Sequence, residues 1–102
     1  MDIETRVYTR YSILTEDLNR IEVAKLCREH KIDCTLYSGV GLFNGNIEQS
    51  LTIVHLAPLE VNAKEEIKAL ARAIKAINAQ REIWITEETV TLKKLLDKSP
   101  TA

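Results

Sequence analysis

The segment from Thr35 to Leu56, TLYSGVGLFNGNIEQSLTIVHL, most constrains the fold, because two alternating runs of apolar and polar residues meet at Asn44-Gly45. An Asn-Gly pair in this setting favours a two-residue turn whose central residues both adopt positive φ. The segment therefore predicts a β-hairpin formed by strands two and three. The chain carries no catalytic or metal-binding motif of high specificity, so its sequence constrains the fold more than the function.

The residues before the hairpin predict a strand and then a helix. Arg6, Tyr8 and Arg10 alternate with apolar and smaller residues, which is typical of a strand with two different faces. Thr15 can cap a helix that runs to about His30. The predicted buried stripe of this helix is Leu18, Ile21, Ala24 and Cys27.

The residues after the hairpin predict a second helix and a fourth strand. Pro58 ends strand three, because proline cannot donate a hydrogen bond to the ladder. Asn62 begins an N-cap pattern, and a continuous apolar stripe predicts helix two up to Asn78. Glu82–Thr86 is rich in β-branched and aromatic residues and predicts strand four. Residues 89–96 fit either an edge strand or a helical turn.

The order β-α-β-β-α-β predicts an α+β, ferredoxin-like split βαβ sandwich. Right-handed crossovers give an antiparallel sheet in the order 4-1-3-2, with both helices on one face. We expect a single domain over residues 1–102, with its core at about 4–96 and a frayed tail at 97–102.

Composition excludes several classes of protein. Hydrophobic residues make up 45% of the chain and charged residues 28%, which is typical of a globular domain. There is no apolar run long enough for a membrane span and no secretion signal, so we expect a cytoplasmic protein with no membrane partner. A net charge of -1 disfavours nucleic-acid binding. Cys27 and Cys34 are expected to be reduced and structural, with no metal site and no cofactor.

The predicted fold leaves one sheet face uncovered by helices, and a domain this small must cover that face, keep it polar or use it for binding. The predicted core-facing set is Val7, Leu51, Ile53, Ile83 and Ile85. The predicted open face carries Arg6, Tyr8, Arg10, Glu48, Ser50, Thr52 and Trp84, with either Tyr37 or Val40 from strand two.

The open face combines guanidinium groups with aromatic rings. Arg6 and Arg10 could bind an anion, Tyr8 and Trp84 could stack on a ring, and polar side chains could orient the ligand. The same residue types are enriched in protein interfaces, so a subunit contact is the competing interpretation. The two interpretations are compatible, since a ligand can bind between subunits. The predicted ligand-binding set is Arg6, Tyr8, Arg10, Tyr37, Glu48, Ser50 and Trp84.

Three short motifs resemble those of a loose group of small uncharacterised bacterial and phage proteins, over about residues 4–86. The motifs are Glu4-Thr5-Arg6-Val7-Tyr8, the arrangement of Gly41, Gly45, Glu48 and Ser50, and Gln80-x-x-Ile83. The resemblance implies a ferredoxin-like α+β fold and no established chemistry. The architecture is also similar to that of the oligomeric PII and CutA ligand-binding proteins, although their specific loops are not visible in this sequence.

We therefore expect a non-enzymatic homo-oligomer that associates through its open sheet face or edge strands and captures a small anionic ligand, with a nucleotide as first candidate. A phage protein of this kind would act as a sponge for a host defence nucleotide, in the host cytoplasm. The alternative is a module that inhibits or binds a partner protein. A third hypothesis is a small cofactor-free enzyme with a dimeric α+β barrel and His55 as its base.

Overall fold

The computed structural model of this protein describes residues 2–97 as four strands and two helices. Their order along the chain is β-α-β-β-α-β. The elements are β1 (Asp2–Glu16), α1 (Arg20–Glu29), β2 (Thr35–Phe43), β3 (Asn46–Pro58), α2 (Lys64–Ile77) and β4 (Trp84–Leu96). Of the predicted frayed tail at 97–102, only Asp97 belongs to the described residues.

The four strands form one antiparallel sheet in the order β2-β3-β1-β4. This is the predicted order read from the other edge, so the α+β ferredoxin-like fold is confirmed. The hairpin is confirmed as well, because Phe43 pairs with Asn46 across the turn. Both turn residues have positive φ, 51° at Asn44 and 80° at Gly45, as a primed two-residue turn requires.

The core lies between the sheet and the two helices. At its centre Ile13 of β1 pairs with Ile53 of β3, and both are almost fully buried, whereas Ile85, which pairs with Ile13 from β4, is 38% exposed. Above them α2 packs its apolar stripe, of which Leu70 and Ile74 have no exposed surface. Burying a side chain of this size stabilises the fold by roughly 1.5–3 kcal/mol. Both helices therefore lie on one face, and the other face has no helix.

Two predictions about the first helix are wrong. Thr15 does not cap it: β1 continues to Glu16, and Thr15 pairs with Leu51 in the ladder and is buried. The helix begins only at Arg20 and therefore presents a different face to the core from the predicted one. Its buried residues are Val23 and Cys27, whereas Leu18 and Ile21 are exposed.

Residues 89–96, for which the sequence left two interpretations, form the second half of β4. They pair with the first residues of β1, from Asp2↔Leu96 to Thr9↔Thr89. This ladder extends both strands beyond the layer of helices. Val7 consequently faces the helix side, as predicted, but remains 42% exposed because no helix reaches it.

The chain is elongated for its size. Its radius of gyration is 16.3 Å, whereas a compact domain of 100 residues has about 13 Å. The β2–β3 hairpin tip also projects past the helices, so that Val40, Leu42 and Ile47 are 65%, 72% and 71% exposed on the helix side. Neither helix is long and apolar enough to span a membrane.

Both helices end in the same hydrogen-bonded motif. The N–H of Ile32 donates to the Cys27 carbonyl, and the N–H of Gln80 donates to the Lys75 carbonyl, each at 3.0 Å. In this Schellman motif the residue before the donor is left-handed and is usually glycine. Here those residues are Lys31 and Ala79, with φ of 56° and 52°.

Lys31→Gly should stabilise the fold by about 1 kcal/mol, because a non-glycine residue in the left-handed region carries a steric cost of about that size. Lys31 is exposed, so the substitution removes no core contact. Chemical denaturation measures the change. Glu29→Gly, inside the same helix, is the matched control and should destabilise by about 1 kcal/mol. A destabilised Lys31→Gly variant would contradict the assignment of Lys31 to the left-handed position of a Schellman motif.

Cys27 is a buried thiol in the core, and Cys34 is half-buried. Burial and, to a smaller extent, a hydrogen bond with Cys34 together raise the pKa of Cys27 to about 12. Because the folded pKa exceeds the unfolded value of 9.0, the neutral thiol contributes stability below pH 9 that is lost as pH rises toward 12.

Cys27 should therefore resist alkylation of the folded protein, since its raised pKa keeps the thiol protonated at pH 8 and its side chain is buried. Peptide mass spectrometry after iodoacetamide treatment should find Cys34 labelled first. Unfolding in urea should make the alkylation rates of Cys27 and Cys34 similar. Equal rates in the folded protein would show that Cys27 is accessible.

Candidate functional site

The register of the ladders decides which side chains share the open face. Even-numbered residues of β1, β3 and β4 and odd-numbered residues of β2 lie on it, because paired residues point to the same side. All seven predicted ligand-binding residues lie on this face. Strand two contributes Tyr37, while Val40 lies on the other side.

The seven residues form two groups that the single chain keeps apart. Arg6, Tyr8 and Arg10 lie toward the first end of β1, where Tyr8 is opposite Val90. Trp84 is opposite Leu14, six positions along the strand and therefore about 20 Å from the Tyr8 row. Tyr37, Glu48 and Ser50 lie at the Trp84 end. One chain does not bring the predicted set around a single small ligand.

The arginines of the first group already have carboxylate partners. The Nε of Arg6 lies 2.6 Å from Oε1 of Glu4, and Nη2 of Arg10 lies 2.8 Å from Oε1 of Glu88. The hydrogen bond to Arg6 lowers the pKa of Glu4, and the same bond raises the pKa of Arg6. Both pairs are exposed, so each contributes little to stability. They do reduce the positive charge available to an anion at this end of the face.

Three residues of the second group, without Tyr37, line a cleft of about 730 Å³ where β1 extends past the beginning of β4. Glu48, Ser50 and Trp84 lie along its walls together with Arg81. The indole N–H of Trp84 donates to Glu82 at 3.4 Å. The other lining residues are Leu14, Thr15, Glu16, Leu18, Gly41, Phe43, Gln49, Leu51, Thr52, Asn78, Ala79, Gln80, Glu82 and Ile83. The cleft offers a ring surface, a guanidinium group, a carboxylate and hydroxyls around an apolar floor.

Two glycines of β2 widen the open face beside this cleft. Gly39 pairs with Ser50 and Gly41 with Glu48, and both glycines point to the open side. A Cβ atom on Gly41 would lie 2.5 Å from the Phe43 ring, so the ring occupies the space that the missing side chain leaves. The glycines are thus part of a strand, as the sequence favoured, and make room beside Ser50 and Glu48.

A hydrogen-bond network of three side-chain amides and one hydroxyl forms the inner wall of the cleft, and Asn78 and Thr15 are its buried members. Nδ2 of Asn78 donates to the hydroxyl of Thr15 at 2.9 Å and to the Glu16 carbonyl at 3.2 Å. The Thr15 hydroxyl in turn donates to Oε1 of Gln80, and Nδ2 of Asn19 donates to Oδ1 of Asn78 at 2.9 Å. This network joins the end of β1 to the end of α2 and holds the loop before β4.

Sequence reasoning missed this wall and Arg81. It assigned Thr15 to a helix cap, although the partner of its hydroxyl, Gln80, is 65 residues away. Arg81 lies in the loop before β4, and only its spacing of three residues from Trp84 hints at a shared site. The ladder register is needed to show that this loop meets the beginning of β3.

His55 lies away from the cleft on the helix-facing side. Its ring stacks on Tyr11 with centroids 6.4 Å apart, and its Nδ1 donates to the Asp33 carbonyl at 2.6 Å. These contacts fix the loop before β2. Among residues 2–97, no group of three or more His, Cys, Asp or Glu side chains is placed to hold a metal ion.

Comparison with known proteins finds proteins of similar three-dimensional structure. No protein-family model matches the chain, and no curated protein matches it in sequence. The PII-like nitrogen regulatory protein CPII of Thiomonas intermedia K12, solved with ADP, AMP and bicarbonate, covers 91% of this chain and 100% of its own, with 9% identity and a TM-score of 0.60.

Two further solved structures are similar. A phage SAM lyase in complex with S-methyl-5′-thioadenosine has 12% identity and a TM-score of 0.61, covering 85% of this chain and 90% of its own. A DUF3240 family protein from Shewanella baltica OS155 has 7% identity and a TM-score of 0.57, covering 93% and 97%. At these identities the likeness shows the shared ferredoxin-like fold alone.

Asn78→Ala should destabilise the protein by roughly 2 kcal/mol, because it removes the buried amide that donates to the Thr15 hydroxyl and the Glu16 carbonyl and accepts from Asn19. Asn46→Ala, at an exposed residue after the hairpin turn, is the matched control and should change the free energy of unfolding by less than about 0.5 kcal/mol. Urea denaturation of both variants measures this. Equal effects would show that the network is not structural.

Proposed function

We propose that this protein is a non-enzymatic, homo-oligomeric binding protein that captures a small anionic ligand, with an adenine nucleotide as first candidate. The observation that carries the proposal is the cleft in which Trp84, Arg81, Glu48 and Ser50 surround an apolar floor. A ring that stacks on an indole while an anionic group meets a guanidinium is a common way to hold a nucleotide. An oligomer would reduce the exposure of apolar side chains that the single chain leaves in water.

Two of the structural neighbours support the choice of ligand. CPII is solved with ADP and AMP, and the phage lyase with S-methyl-5′-thioadenosine. All three ligands contain adenosine. The likeness of fold makes an adenosine-containing ligand the first to test on this chain. Capture without turnover would fit a sponge for a signalling nucleotide, whereas turnover would support the enzyme hypothesis instead.

A partner-binding module is the second candidate, and the exposed apolar side chains of the open face favour it. Tyr37 and Leu56 are 57% and 42% exposed there and are not part of the cleft lining, although Tyr37 pairs with Thr52, which is. Such residues are typical of the centre of a protein interface. The two candidates differ in where binding would occur, because a protein partner would contact the middle of the face.

The wild-type protein should be stabilised by AMP, ADP or S-methyl-5′-thioadenosine in a thermal-shift assay, by about 2.7 kcal/mol when the ligand is at a hundred times its Kd. Trp84→Ala should weaken binding at least about tenfold, since stacking of a base on an aromatic ring contributes roughly 1–3 kcal/mol. Arg81→Gln should weaken AMP and ADP more than the uncharged thioadenosine.

Tyr8→Ala is the matched control, because it removes an aromatic ring from the same face outside the cleft. It should leave the affinity unchanged. Loss of binding in Tyr8→Ala with retention in Trp84→Ala would move the ligand to the arginine group. If none of the three ligands changes the melting temperature, the adenine-nucleotide proposal is wrong.

A further inference from the structure

Strand β4 is an edge strand that the single chain supports weakly. It pairs only with β1, and none of its thirteen residues is buried. Strands of globular proteins most often have about five to six residues. A long edge without proline exposes a row of backbone N–H and C=O groups that can pair with another strand. Trp84, Ile85, Leu95 and Leu96 expose large apolar side chains along it.

The sequence of β4 is complementary to itself when it is read in the opposite direction. With Val90 at the centre, three of the six pairs of residues at equal distances on its two sides are opposite-charge or apolar pairs. These pairs are Glu87 with Lys93, Ile85 with Leu95 and Trp84 with Leu96. Each pair consists of two odd-numbered or two even-numbered residues, so its members lie on the same side of the sheet.

We infer that two copies of this chain pair through their β4 edges, antiparallel and centred on Val90, to form a continuous eight-stranded sheet. A two-fold axis perpendicular to the sheet produces this arrangement and keeps both pairs of helices on one side. Each copy then supplies backbone partners to the other along β4. Opposite charges and apolar side chains in directly opposed positions stabilise such a ladder.

The charges of the described chain fit this register. Glu87 lies on the helix side, where Nζ of Lys64 is 3.9 Å from its Oε2. The partner's Lys93 would approach the same carboxylate from the other side. Neither end of β4 would then place like charges opposite each other.

The other edge of the sheet is a poorer partner for β4. Strand β2, from Thr35 to Phe43, contains no charged residue. Pairing β4 with it would leave Glu87 and Lys93 opposite uncharged side chains. Charge complementarity therefore favours β4 of a second copy over β2 of a second copy.

The same register brings the partner close to the cleft, a consequence that rests on the proposed function. The partner's Leu96 would lie opposite Trp84, and the partner's Lys94 opposite Thr86 on the open face. Within its own chain Lys94 is opposite Glu4, whose carboxylate is already bonded to Arg6. The dimer would thus add an ammonium group near the cleft, where an anionic ligand could use it.

A charge exchange tests the register. Lys93→Glu should weaken dimerisation of the full chain roughly tenfold in sedimentation equilibrium, because two attractive cross-strand pairs become repulsive. Combining it with Glu87→Lys should restore the wild-type dissociation constant. Lys25→Glu, the same charge change on exposed α1, should have no effect. A monomeric wild type, or a double variant that fails to recover, would overturn the inference.

Cross-linking tests the same contact without altering a charge. Val90→Cys should form a disulfide-linked dimer under mild oxidation, since directly opposed residues lie about 4.5 to 5.5 Å apart at Cα, within the range for a disulfide. Wild type, with Cys27 and Cys34 only, is the baseline. Val40→Cys on β2 should remain uncross-linked. A cross-linked Val40→Cys without a cross-linked Val90→Cys would place the contact on β2 and overturn the inference.

The proposed ligand and the proposed β4 interface can be disproved independently of each other. If Val90→Cys cross-links but adenine nucleotides do not stabilise the protein, the interface stands and the proposed ligand is wrong. If nucleotides bind and Val90→Cys does not cross-link, the ligand stands and the β4 interface is wrong. In a protein that passes both tests, Lys94→Gln should lower the affinity for ADP severalfold, and an unchanged affinity would remove Lys94 from the site.

Discussion

The two helices cover only the middle of one sheet face, and most features of this protein follow from that mismatch. The helices have ten and fourteen residues, whereas the strands have up to fifteen. The core is therefore strong where Ile13 meets Ile53 beneath α2. Beyond it the sheet continues as exposed strand ends, an open face and two free edges. A chain built this way buries its remaining apolar surface only by contact with other molecules.

Local signals predicted the parts of the fold that local interactions determine. The turn at Asn44-Gly45 requires positive φ at both residues, and the apolar stripe of α2 requires a helix, so both were readable from neighbouring residues. The conformations of Thr15 and of residues 89–96 could not be predicted from their neighbours. A threonine before acidic residues is typical of a helix cap, but its ladder pairing and its bond to Gln80 decide otherwise. Residues 89–96 become a strand because β1 offers a partner far away in sequence.

The sequence predicted which face of the sheet carries the candidate residues, but not where along the strands they lie. Alternation along β1, β3 and β4 assigned the correct side to the predicted ligand-binding residues of those strands, whereas the choice between Tyr37 and Val40 on β2 needed the register. The position along the strand depends on register, which local sequence does not encode. Tyr8 and Trp84 therefore looked like partners although they lie about 20 Å apart. Arg81 and the amides of Asn78 and Gln80 were missed because a loop brings them to the beginning of β3.

The projecting hairpin tip forms one wall of the cleft, and this wall has low local stability. Gly41, Phe43 and Glu48 line the cleft but belong to a segment that no helix touches, where Leu42 and Ile47 are exposed on the other side. Such a segment can open by local unfolding while the core beneath α2 remains intact. The opposite wall, held by Asn78 and Thr15, is anchored in that core. Opening of the hairpin would therefore widen the cleft from one side only, while the wall beside Asn78 and Thr15 stays in place.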